Sequence, residues 1–79
     1  MTFYLELSAA RRVEFAYSLD EYKLRMVKKK GTGTWEISVP ADLEFGYFFM
    51  VDGVVYLPEC EYREADDFGS ENCIFVPRP

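Results

Sequence analysis

Hydrophobic residues alternate with polar ones along most of this chain, and this two-residue period limits the fold more than any other feature. Phe3, Leu5 and Leu7 alternate with Thr2, Tyr4 and Glu6, and the same period recurs at 13–17 and 35–39. Such alternation predicts β-strands that bury one face. We find no segment with the 3.6-residue repeat of an amphipathic helix.

Turn residues divide the chain into short segments. Asp52-Gly53 follows the most apolar segment, 47–51, which we expect to be the central strand. Asp-Gly between two apolar segments is a strong signal for a hairpin, so 54–57 is predicted to return beside 47–51. Gly31 and Gly33 predict a second hairpin, between an extended segment at 24–28 and the strand at 35–39.

The last part of the chain is predicted to be a long acidic loop at 59–71 and a closing strand at 72–76. About seven short strands separated by turns every 8–12 residues or so predict an antiparallel β-sandwich. The fold class is therefore all-β.

Composition sets the domain count and excludes some partners. The chain has 79 residues, of which 49% are hydrophobic and 18% aromatic. It is too apolar for a disordered segment, and it fits one domain over 1–79. The net charge of −5 argues against nucleic-acid binding, which depends on clustered Lys and Arg. Segment 59–71 holds six acidic residues against Arg63 alone, carries this whole net charge, and is interpreted as solvated surface.

Several kinds of chemistry lack the residues they need. Histidine is absent, which removes the commonest general base and the commonest metal ligand. A calcium-site hypothesis can be drawn from the oxygen ligands of Glu64, Asp66, Asp67 and Glu71, but these carboxylates show no EF-hand spacing. A glycosidase carboxylate pair needs an enclosed cleft, which a sandwich of this size is not expected to form. We predict no catalytic residue, no metal and no cofactor.

The compartment is predicted from the cysteines and the apolar segments. Cys60 and Cys73 are too few for a disulfide framework and are interpreted as inert, reduced thiols. No secretory signal is recognised at the start, and the longest apolar segment, 45–51, is too short to cross a bilayer. We therefore expect a soluble cytoplasmic protein with no membrane partner.

Aromatic residues are the remaining source of function. Four of the fourteen fall on inward positions and are predicted to be core: Phe15, Trp35, Phe49 and Phe75. Tyr22 and Phe68 fall in predicted loops beside polar groups. Exposed rings of this kind suit the apolar face of a sugar and a protein interface equally, and both alternatives stay open.

Segments 13–22, 33–36, 47–53 and 68–76, with Met26 and Pro58 between them, form an ordered set. Its most specific parts are the aromatic strand ending in Val51-Asp52-Gly53 and the final Gly69-x-x-Asn72. In order and spacing the set resembles the family 48 carbohydrate-binding modules. These are early-set, immunoglobulin-like β-sandwiches of isoamylases and glycogen branching enzymes, and the glycogen-binding domain of the AMP-activated kinase β subunit belongs to the same group. The resemblance covers about residues 3–76.

The resemblance implies a stand-alone, non-catalytic module that binds α-glucan such as glycogen or starch. The family's first tryptophan corresponds to Tyr22, a smaller ring, and its lysine to Phe48, which lacks the charged donor. The second tryptophan falls near Val55, which cannot stack. Phe68, Ser70 and Asn72 correspond to an apolar residue, a threonine and an asparagine. The expected carbohydrate-binding residues are thus Tyr22, Phe48, Phe68, Ser70 and Asn72.

The departures from the family pattern support an alternative function. Phe48 and Val55 make the expected sugar face more apolar. The alternative is a protein-interaction or accessory domain that docks on a glycogen-metabolising enzyme or associates weakly with itself as a homodimer. Hydrolysis of glycosidic bonds by this chain is rejected, since no barrel and no enclosed carboxylate pair are predicted.

Overall fold

The alternating segments form antiparallel strands in a computed structural model that describes residues 1–65 and 69–77. Apart from one short 3-10 helix at Ser18–Asp20, every regular element in this part of the chain is a strand. The strands are β1 Thr2–Glu6, β2 Val13–Tyr17, β3 Arg25–Met26, β4 Lys28–Lys29, β5 Thr34–Ser38, β6 Phe45–Val51, β7 Val54–Tyr56, β8 Tyr62–Ala65 and β9 Glu71–Phe75.

Within the described ranges these strands form two antiparallel sheets. The smaller sheet has the order β1-β5-β4, and the larger has the order β3-β2-β6-β9-β8 with β7 also paired to β6. One edge of β6 pairs with β2, and its other edge pairs with β9 along one part and with β7 along another. β9 pairs with Phe45–Tyr47 and β7 pairs with Phe49–Val51, so Phe48 lies at the junction between β7 and β9. The prediction of a central strand here is confirmed.

The core lies between the two sheets and is strongly aromatic. Phe15, Trp35 and Phe49 are buried as predicted, while Phe75 is half-buried and packs against them. The ring of Phe15 contacts that of Phe49 with a centroid distance of 5.1 Å. A large apolar side chain that is fully buried contributes about 1.5–3 kcal/mol, so these residues dominate the stability. The predicted all-β sandwich is confirmed.

The extended segment predicted at 24–28 is divided between the two sheets. β3 pairs with β2 in the larger sheet, whereas β4 pairs with β5 in the smaller one. Val27, between them, is buried, and its N–H donates to the carbonyl of Val13 at 2.9 Å. The predicted hairpin is therefore confirmed only for Lys28–Lys29, because the chain crosses from one sheet to the other at Val27 and Arg25–Met26 pair with β2 instead.

The prediction of an unbroken loop at 59–71 is wrong, because β8 lies inside it. β8 pairs with β9, joining Tyr62 to Ile74 and Glu64 to Asn72. All residues of β8 are exposed, so neither of its faces carries the apolar pattern that marks a half-buried strand. The strand is recognisable only through its pairing with β9.

The prediction of two reduced thiols is also wrong in this structure. Cys60 and Cys73 form a disulfide, with Cα atoms 6.0 Å apart and a sequence separation of 13. Cys73 is fully buried on β9, and Cys60 lies in the segment that leads into β8.

In the part of the chain that the structure describes, no helix has the length and apolar character needed to cross a membrane.

Candidate binding site

The candidate site lies on the face of the larger sheet that points away from the smaller sheet, which we call the outer face. Along β6 the side chains of Tyr47 and Phe49 enter the core, so Phe48 between them points outward. On β9 Cys73 enters the core, and its neighbour Asn72 points to the same outer face. Tyr47 pairs with Cys73 across the antiparallel strands β6 and β9. Phe48 and Asn72, the next residue on each strand, therefore lie opposite each other.

A concave pocket of about 530 Å³ opens on this face where β7 ends and β9 begins, and we call it the β7–β9 pocket. Its lining residues are Phe48, Val55, Leu57, Ser70, Glu71 and Asn72. The pocket combines apolar walls with an amide, a hydroxyl and a carboxylate. Apolar walls with a few placed polar groups are typical of small-molecule sites.

Tyr22 extends the apolar wall of the site. Its ring is nearly parallel to that of Phe48, with a centroid distance of 5.9 Å and an interplanar angle of 16°. The backbone holds Tyr22 in an uncommon conformation, since Glu21 and Tyr22 have φ values of 63° and 61°. The Tyr22 N–H donates to the carbonyl of Tyr17 at 2.9 Å, which ties the end of this turn back to β2.

Gly46 allows Tyr22 to approach the sheet and is not among the functional residues predicted from the sequence. A Cβ at Gly46 would lie 2.9 Å from the Tyr22 hydroxyl oxygen and 3.4 Å from Cδ1 of Ile74. The Gly46 N–H donates to Oγ of Ser18 at 3.0 Å, which links the same turn to β6. A glycine inside a strongly apolar strand is a signal for close approach, and it was available in the sequence.

Charged residues brace the site. The guanidinium of Arg25 donates from Nε to Oδ2 of Asp20 at 2.6 Å, and this hydrogen bond raises the pKa of Arg25, with a further contribution from the opposite charge. The same guanidinium lies 5.5 Å from the ring centroid of Tyr17. On the rim of the pocket, Glu71 forms an ion pair with Arg63 at 3.5 Å. These pairs hold the 18–22 turn and the start of β9 beside the site.

The structure gathers most of the residues predicted from the sequence. Phe48, Ser70 and Asn72 line one pocket, and Tyr22 stacks against Phe48. Val55, where the resemblance loses a tryptophan, is an exposed wall of the same pocket. Phe68 lies outside the described residues.

The calcium hypothesis receives no support from the part of the chain that can be examined. Asp66 and Asp67 lie outside the described residues. Within 1–65 and 69–77, no group of three or more carboxylate or cysteine side chains is arranged to hold a metal ion.

Comparison with known proteins gives no family: no protein-family model matches this chain, and no curated protein matches it. Function is therefore inferred from the residues and geometry of the site.

Proposed function

We propose that this domain binds α-glucan, a glycogen- or starch-type polysaccharide, and is not itself an enzyme. The observation that carries the proposal is the common pocket of Phe48, Ser70 and Asn72, with Tyr22 stacked beside it. Aromatic rings bind the apolar C–H face of a sugar, while an amide and a hydroxyl bind its hydroxyl groups. Neutral hydroxyl-rich ligands suit this combination better than charged ones.

The resemblance to the family 48 modules supports the same class of ligand. The residues that correspond to the family's sugar contacts at Phe48, Ser70 and Asn72 come from β6 and from the start of β9, far apart in sequence, and they line one pocket. Phe48 replaces a lysine, so binding here would depend on ring stacking and hydrogen bonds rather than on a charged donor.

The proposal is tested by native affinity electrophoresis in glycogen gels and by fluorescence titration with β-cyclodextrin. We expect retardation and saturable quenching in the wild type. Tyr22→Ala and Asn72→Ala should each weaken binding by about tenfold or more, as for a central binding residue. Tyr4→Ala is the matched control, because Tyr4 is 61% exposed and lies on β1, in the other sheet. Absence of binding at millimolar sugar, or binding unchanged in both site variants, would overturn the proposal.

A second candidate function is a protein-interaction module that pairs with a second copy or docks on a glycogen-metabolising enzyme. β7 carries Val54 and Val55, which are 68% and 57% exposed. Among the described strands β7 pairs only with β6, so its other edge is open and uncharged. Open strand edges of this kind add strands from other chains.

Light scattering during size exclusion tests the self-association form of this candidate. The expected result is a mass that rises with protein concentration and becomes monomeric in Val54→Lys, a variant outside the β7–β9 pocket. A strictly monomeric wild type would contradict self-association.

A cytoplasmic location stays a prediction. Disulfides persist mainly in oxidising compartments, so the bond between Cys60 and Cys73 does not favour it. Alkylation of free thiols at the moment of cell lysis would test the prediction, since a cytoplasmic pool is expected to be reduced and labelled.

A further inference from the structure

We infer that Tyr62 on β8 forms a second aromatic subsite on the outer face, so that the domain binds a linear chain of several glucose units rather than a single terminal sugar. This inference rests on the proposed α-glucan function and adds a residue that the sequence analysis placed in a loop. Three observations support it: the register of β8, the spacing of the strands that carry the two aromatic positions, and the exposure of Tyr62.

The register places Tyr62 on the same face as the candidate site. Tyr62 pairs with Ile74, and Ile74 pairs with Gly46. Residues paired across antiparallel strands carry their side chains on one face. A Cβ at Gly46 would contact both Ile74 and the Tyr22 hydroxyl, so this is the face that Tyr22 covers. Tyr62, Ile74 and the ring of Tyr22 therefore form a row across three strands.

The distance between the two aromatic positions suits a chain of sugars. Neighbouring strands lie about 4.8 Å apart, so the backbone of Tyr62 is about 10 Å from that of Gly46, beneath the Tyr22 ring. That distance exceeds the width of one sugar ring, so only linked sugars can contact both positions. Asn72 and Glu64, which pair with each other in the next row, supply polar groups along this path.

Tyr62 is exposed, and its ring is not part of the aromatic core. Its side chain is 50% exposed, and β8 buries no residue. Among the described residues no aromatic ring packs against Tyr62, whereas Tyr17 and Tyr47 both belong to the aromatic cluster of the core. Tyr62 is not among the described residues that line the β7–β9 pocket; with Ile74 and Phe75 it lines a second opening of about 470 Å³. An exposed amphipathic ring of this kind is suited to stack on a ligand.

The disulfide links the segment that precedes Tyr62 to β9. Cys60 precedes Tyr62 by two positions, and its partner Cys73 lies between Asn72 and Ile74. The ion pair of Arg63 with Glu71 adds a second link between β8 and β9. The backbone at Tyr62 is therefore restrained before the ligand arrives, which reduces the entropy lost on binding.

Isothermal titration with glucose and maltoheptaose tests the inference. We expect the wild type to bind the longer sugar more tightly. Tyr62→Ala should weaken maltoheptaose binding by about fivefold or more, as for a ring that adds a contact to a second unit, and change glucose binding by less than about twofold, because a single sugar cannot contact both positions. Tyr62→Phe should retain the chain-length preference, because its ring still stacks.

The controls separate this inference from the proposed function. Tyr4→Ala removes a tyrosine of the other sheet that is 61% exposed, against 50% for Tyr62, and should bind both sugars like the wild type. If Tyr62→Ala binds both sugars like the wild type, the second subsite is wrong while α-glucan binding stands. If the wild type binds neither sugar, both the function and the subsite are wrong. Equal unfolding midpoints of Tyr62→Ala and the wild type confirm that the variant is folded.

Discussion

Gly46 has no side chain, and a Cβ at this position would lie only 2.9 Å from the hydroxyl oxygen of Tyr22, which is too close for a normal contact. We predict that Gly46→Ala weakens glycogen binding about as much as Tyr22→Ala, because the added methyl displaces the ring that stacks on Phe48. Affinity electrophoresis measures the effect. Glycogen affinity should return in the double variant Gly46→Ala/Tyr22→Phe, which lacks the oxygen that meets the methyl. Wild-type binding by Gly46→Ala alone would contradict the prediction and show that the Tyr22 ring accommodates the methyl group without loss of affinity.

Tyr47 predicts how stability depends on alkaline pH. Burial of its side chain raises its pKa above the ordinary value of 10.0, because the charged phenolate is poorly solvated there. The folded chain then keeps this proton to higher pH than the unfolded chain does. The contribution to the free energy of unfolding is complete below pH 10 or so and decreases as the pH rises above it.

Urea unfolding of the wild type and of Tyr47→Phe, at about pH 8 and about pH 11, checks this dependence. We expect a smaller loss of stability between the two pH values in Tyr47→Phe than in the wild type. Equal losses would mean that Tyr47 ionises as easily in the fold as in the unfolded chain.

At the scale of elements, the turn between β6 and β7 also anchors the start of β2. Asp52 and Gly53 have φ values of 49° and 83°, as expected for the predicted Asp-Gly hairpin turn. The Oδ1 atom of Asp52 accepts hydrogen bonds from the backbone N–H groups of Arg11 and Arg12 at 2.9 and 2.8 Å.

We predict that Asp52→Ala lowers the free energy of unfolding by about 2 kcal/mol, since two backbone donors lose a charged acceptor and alanine disfavours positive φ. Asp52→Asn keeps an acceptor oxygen and tolerates the turn, so its loss should be smaller. Urea denaturation of the two variants measures the difference. Equal losses in Ala and Asn would mean that the side-chain oxygen contributes little.

The disulfide predicts a redox-dependent stability for the β8–β9 element. Cys60 and Cys73 close a short loop of the chain, given their sequence separation of 13. Reduction should lower the free energy of unfolding by about 3 kcal/mol, because the unfolded chain regains the freedom that this loop removes. Urea denaturation with and without a reductant tests this, and Cys60→Ser/Cys73→Ala is the control that the reductant should leave unchanged. A wild type indifferent to the reductant would contradict the prediction.

At the scale of the whole molecule, the net charge predicts how glycogen binding depends on salt. The chain carries a net charge of −5, while α-glucan is neutral. We predict that glycogen affinity changes by less than about twofold between about 50 and about 500 mM NaCl, because screening acts only between charges. Affinity electrophoresis in gels of increasing salt checks this. A steep fall in glycogen binding with salt would show that charged groups carry the interaction and would contradict a site that depends on ring stacking and neutral hydrogen bonds.

Much of the architecture follows from local patterns that the sequence carries by itself. Alternation predicts β1, β2 and β5, because period two is the geometry of a strand with one buried face. Asp52-Gly53 predicts its hairpin, because these residues tolerate positive φ at little cost. The same alternation identifies Phe15, Trp35 and Phe49 as core residues.

Other features depended on residues that meet only in the folded chain. β8 exists because β9 pairs with it, and the cysteines bond because this pairing aligns their segments. Neither has a local signature: β8 is exposed on both faces, and the spacing of Cys60 and Cys73 matches no motif.

The candidate site divides in the same way between sequence and tertiary structure. Tyr22, Phe48, Ser70 and Asn72 were identified from the sequence, through exposed-residue chemistry and a family resemblance. Their arrangement was decided by topology: β6 exchanges β7 for β9 at Phe48, and this junction opens the pocket. Sequence determines which side chains a strand presents on each face, because that depends on near neighbours. Only the tertiary structure determines which faces and edges meet, because that depends on pairing between distant segments.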